Sequence, residues 1–173
     1  MAFAFQMQFT NLSARTIFQL GAYDFAQGGH DNGGIQQAPG NTLSPTAGTQ
    51  YLSVFQKTGS SIAENWMDIQ CTWVLTGANP VRFGVKLHFP AQVFSIGTDP
   101  YWYVMQDTNA VPGSADPPPD WIHSGKSPAD PYAWPSTLPV QIIATPQATG
   151  DSLVVGVMIT NWEKHNAQGP GAA

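Results

Sequence analysis

A strict two-residue alternation of apolar and polar side chains constrains this chain more than any other feature. Phe3, Phe5, Met7 and Phe9 fall on one side of an extended segment, and Ala4, Gln6, Gln8 and Thr10 on the other. Successive side chains of a β-strand point to opposite faces, so this pattern buries one face and wets the other. A helix would repeat its apolar positions every third or fourth residue instead. The cleanest example is 81–89, with Val81, Phe83, Val85, Leu87 and Phe89 inward and Arg82, Gly84, Lys86 and His88 outward. In 68–76, Ile69, Cys71, Trp73 and Leu75 alternate with Gln70, Thr72 and Val74. Joined by Gly77-Ala78-Asn79-Pro80, these two segments read as a β-hairpin with a four-residue loop.

Further strands are expected at 3–11, 16–23, 50–57, 101–106, 140–144 and 153–162, with one helical turn at 61–67. About eight short strands separated by Gly/Pro turns predict an all-β fold, an antiparallel β-sandwich. No fixed-period repeat points to a propeller or solenoid. Two stretches break the pattern. Residues 26–49 read as a long polar loop, and the glycines of 28–34 as a turn. Residues 107–139 are thick with proline, which cannot supply ladder donors, so they read as one long surface excursion. Residues 1–165 then form a single domain, and 166–173 a flexible tail.

Charge is scarce. Only 10% of the 173 residues are Asp, Glu, Lys or Arg, against about 25% in ordinary domains. Aromatic residues make up 12%, which argues against disorder. The net charge is −5, and the six cations form no run. Nucleic acid needs clustered Lys and Arg to neutralise phosphates, so that partner is excluded, as is docking on anionic lipid by a polybasic patch. Cys71 is the only cysteine and forms no internal disulfide. The opening residues lack the basic and continuous apolar regions of a classical signal peptide. The expectation is a protein made in the cytoplasm and released by another route to act extracellularly.

The chain carries no strong chemical motif. His30, His88, His123 and His165 lack the close spacing of a zinc site, so neither a metal nor another cofactor is expected. No nucleophile motif is present, and Cys71 sits at a core position of a strand. Asp99, Asp116, Asp120 and Asp130 mostly lie beside prolines in loops, where Asp serves turn geometry. No catalytic residue is assigned. The aromatic side chains carry more information. Tyr101, Trp102 and Tyr103 are consecutive, so one strand face cannot bury all three. Trp121, Tyr132 and Trp134 lie in the proline-rich excursion. These six form the expected ligand-binding set, because amphipathic rings suit a bilayer interface or the face of a sugar.

The segment VKLHFPAQVFSIGTDPYWYVM, 85–105, resembles the lipid-facing region of small β-sandwich cytolysins, the aegerolysins and actinoporin-like proteins. The opening MAFAFQMQFTNLSARTI is similar to an aegerolysin start. The likeness covers about a quarter of the chain. It implies recognition of a membrane lipid by Tyr101, Trp102 and Tyr103, with Phe89 and Pro90 as a preceding wedge, and a larger pore-forming partner. The 107–139 excursion has no counterpart in either group. Residues 1–10 read as strand, unlike the inserting N-terminal helix of actinoporins. The functional expectation is a non-catalytic module that binds membrane lipid or cell-surface glycan, as a cytolysin or an insecticidal or defence toxin component does. The alternative is a self-assembling structural protein, an inclusion, filament or capsid-like homo-oligomer, because so few ionic groups need desolvation.

Overall fold

The computed structural model describes residues 2–28, 33–57, 66–75, 80–89, 101–107, 121–126, 131–134, 138–149 and 152–162. Twelve strands are described: β1 (Ala2–Asn11), β2 (Phe18–Gly28), β3 (Gly34–Gln37), β4 (Thr42–Leu43), β5 (Gln50–Lys57), β6 (Trp66–Leu75), β7 (Val81–Phe89), β8 (Tyr101–Asp107), β9 (Ile122–Lys126), β10 (Tyr132–Ala133), β11 (Gln141–Thr149) and β12 (Ser152–Thr160). They form two six-stranded sheets, β10-β11-β12-β1-β5-β3 and β4-β2-β6-β7-β8-β9. The eight strands longer than five residues fall on the eight expected segments, with β2 running on to Gly28 and β11 to Thr149, beyond the expected ends at 23 and 144.

The two sheets pack face to face as a β-sandwich. Alternation supplies the core: Phe5, Met7 and Phe9 of β1 face Ile69, Cys71 and Trp73 of β6 within one buried cluster. Phe9 meets Trp73 edge to face across the sheets, centroids 5.6 Å apart. β6 and β7 pair as expected, from Leu75 opposite Val81 to Met67 opposite Phe89, but β6 ends at Leu75, so five residues rather than four separate the two strands. β7, β8 and β9 continue as an antiparallel meander. One pair is not antiparallel: β1 and β12 run side by side in parallel, Ala4 opposite Ser152 and Asn11 opposite Ile159.

Asn11 closes the end of β1. Its side-chain amide donates to the carbonyls of Thr16 (2.7 Å) and Leu43 (3.0 Å), and its oxygen accepts from the backbone N–H and hydroxyl of Ser13. The buried amide therefore uses both protons and both lone pairs. It steers the crossover from the first sheet into β2 and ties down β4.

Several expectations are corrected. Residues 26–49 are not one loop: β3 and β4 lie within them. Both are short and paired at sheet edges, so backbone bonding rather than alternation defines them. Likewise β9 and β10 sit inside the 107–139 excursion and pair with β8 and β11 at the outer edges, where neighbouring prolines cost no ladder bond. Trp66 and Met67 open β6 rather than close a helical turn, while 58–65 lie outside the described residues. Arg82, at an outward position, is only 5% exposed, and Thr72, Val74 and Met105 around it are buried too, so this end of the outer face is covered. Residues 29–32 of the glycine turn and the 166–173 tail also lie outside the described residues.

Candidate functional site

The six expected aromatic residues do not form one platform. Trp102 pairs with Leu87 on β7 and shares its inward phase, so its ring is fully buried in the core. Trp134 is also interior. Its indole N–H donates to the Met105 carbonyl at 3.0 Å, and its ring packs edge to face on Phe83 and Tyr132. These two residues are corrected from contact residues to core residues. The strand phase explains the first. The second follows from the excursion returning to the sandwich, where Trp134 N–H bonds the Ile142 carbonyl.

The other four are placed differently. Tyr103 points outward from β8 and is partly exposed. Tyr132 is partly exposed beside Trp134 at the edge of the first sheet. Trp121, also partly exposed, immediately precedes β9. The backbone of Tyr101 pairs with His88 and Lys126, while its side chain lies outside the described residues, as do the side chain of Phe89 and all of Pro90.

Around Tyr103 the outer face of the second sheet carries a cluster of polar side chains. Lys86, opposite Tyr103 in the ladder, holds its ammonium 5.9 Å from the centre of the tyrosine ring. The same ammonium lies 3.4 Å from Asp68 Oδ2. His88 Nδ1–H donates to the other carboxylate oxygen of Asp68 at 2.5 Å. Asp68, Lys86 and His88 keep 25%, 27% and 29% of their side-chain surface. Gln70, next outward on β6, is paired with Lys86. Three neighbouring strands thus present a carboxylate, an ammonium, an imidazole and an amide beside one phenol ring.

The arrangement was within reach of the sequence. A hairpin that pairs Leu75 with Val81 must pair Asp68 with His88, and both belong to the outward phase. No local motif marks these residues, because they are scattered singly along the chain. Chemistry on the inner side of β6 is closed off: Cys71 has no exposed surface, and burial pushes its thiol pKa far up. Among the described residues, no three of His, Cys, Asp and Glu gather as metal ligands.

Charge divides between the sheets. Asp24, Asp68, Arg82, Lys86, Asp107 and Lys126 all belong to strands of the second sheet. In the strands of the first sheet, Lys57 at the end of β5 is the single charged residue. The polar site and the strands poorest in charge therefore belong to different sheets of the sandwich.

No protein-family model matches the chain, and a search of curated proteins finds no match for it either.

Proposed function

We propose that the protein is a non-catalytic glycan-binding module that receives a sugar on the outer face of its second sheet. The observation that carries this reading is the Tyr103–Lys86–Asp68–His88 cluster, a ring and three hydrogen-bonding groups held on adjacent strands. A pyranose has a C–H face that stacks on an aromatic ring and a rim of hydroxyls that both donate and accept. Tyr103 suits the face. The Asp68 carboxylate accepts from hydroxyls, while the Lys86 ammonium donates to them. A scaffold of paired strands keeps these groups in fixed relation, which lowers the ordering cost of binding. Lipid docking is less well supported, because two of the indoles that would seek a bilayer interface, Trp102 and Trp134, are interior.

Calorimetric titration with a panel of neutral oligosaccharides tests the reading. At least one sugar is expected to bind, with affinity reduced about tenfold or more by Tyr103→Ala, the loss of roughly 1.4 kcal/mol. Asp68→Asn is expected to weaken the same ligand. Equal binding by the wild type and Tyr103→Ala would discard the site. Adsorption to neutral phospholipid vesicles free of glycolipid, with no response to any sugar, would discard the glycan.

A further inference from the structure

We propose that the outer face of the first sheet is a self-contact surface through which two copies of this chain pair back to back. β11, β12 and β1 place Gln6, Gln8, Thr10, Thr145, Gln147 and Met158 on that face by strand phase and register, and β5 continues the sheet beside β1. Charge singles it out. The chain carries a net charge of −5, so two copies repel, and ionic side chains must be desolvated wherever they meet. Of the two outer faces, this one spares them most of that cost: its strands bring a single charged residue into the outward phase, Lys57 at the far end of β5, opposite Ala2. Across a two-fold axis each residue near the axis meets its own copy: an ionic residue would face its like charge, whereas an amide pairs with itself as donor and acceptor. Gln8 and Gln6 already join this way within one strand, Nε2 to Oε1 at 2.6 Å.

The area and the apolar content also suit a dimer. Four strands about 4.8 Å apart and about 30 Å long give a plane of roughly 600 Å² per copy before side-chain relief is added. Two such planes reach the roughly 1,200 Å² at which specific interfaces begin. Met158 is 51% exposed, and Leu12, which continues the outward phase of β1 and bonds Ile159, is 58% exposed. They supply exposed apolar surface that water disfavours. Pairing here leaves both polar faces of the second sheets pointing away from the contact.

Sedimentation equilibrium of the full chain over a wide concentration range tests this. A reversible monomer–dimer equilibrium is expected, strengthened modestly by added salt because screening weakens the repulsion between two net-negative copies. Thr145→Glu and Met158→Glu, both at exposed positions, are each expected to weaken the dimer roughly tenfold or more, while Ala22→Glu on the opposite face leaves it unchanged. Circular dichroism checks that all three variants fold. A monomer at every concentration, assembly beyond two copies, or a dimer indifferent to Thr145→Glu and Met158→Glu would each overturn the proposal.

Discussion

The indole N–H of Trp134 donates to the backbone carbonyl of Met105, 3.0 Å away, and through that bond the edge of the first sheet is fastened to the second. The backbone of the same residue bonds Ile142 on β11, and its ring rests on Phe83 of β7. One side chain thus joins both layers. Trp134→Ala is expected to cost about 3–5 kcal/mol, the range for removing a buried aromatic ring. Trp134→Phe keeps most of the volume but leaves the Met105 carbonyl without its donor, and is expected to cost about 1–3 kcal/mol. Denaturant titration of both variants measures the difference. Equal stabilities of the wild type and Trp134→Ala would show that the ring holds nothing together.

How far the sequence could be read follows from what forms each element. The long strands were legible because Phe5, Met7 and Phe9, or Phe83, Val85 and Leu87, recur at every second position and each run must bury one face. β3 and β10 were not, because a four-residue GIQQ and a two-residue YA become strands only by hydrogen bonding to β5 and β11. The parallel contact of β1 with β12 joins segments some 150 residues apart, and no local pattern encodes it. For the site, three consecutive aromatics left the phase of β8 open. Pairing of Leu87 with Trp102 resolves it, turning the indole inward and Tyr103 outward. Trp134 was misread because its proline-rich surroundings look like surface, while its polar N–H finds an acceptor inside.

Thr72 is clasped between two glycines on neighbouring strands, and its hydroxyl holds the β-bulge at Gly21. The hydroxyl accepts from Ala22 N–H at 3.0 Å and donates to the Ala22 carbonyl at 3.3 Å. On the other side, a Cβ at Gly84 would lie 2.7 Å from the Thr72 methyl and 2.9 Å from the Cys71 carbonyl oxygen. Gly84→Ala is therefore expected to destabilise by about 1–3 kcal/mol through overpacking. Adding Thr72→Ser removes the closer atom but not the carbonyl, so the double variant is expected to recover part of the loss. A double-mutant cycle by thermal or denaturant unfolding reads this coupling. Additive effects would mean that the two residues do not press on each other.

Cys71 makes stability depend on alkaline pH. Burial raises its thiol pKa far above the ordinary 9.0. The unfolded chain therefore releases this proton first, so the unfolded state gains over the folded one once pH passes about 9. The contribution is complete below that value and is lost as pH rises, by about 1.4 kcal/mol per pH unit while the folded thiol stays protonated. Cys71→Ala costs some packing at neutral pH, about 1 kcal/mol for the lost buried sulfur. Its unfolding free energy is nevertheless expected to fall less steeply than that of the wild type between pH 9 and 10.5. Because the two proteins differ only at residue 71, the difference between the two curves isolates the thiol. Parallel curves would mean that Cys71 ionises as readily in the folded protein as in the unfolded chain. Rapid reaction of the folded protein with a thiol reagent at neutral pH would argue the same way.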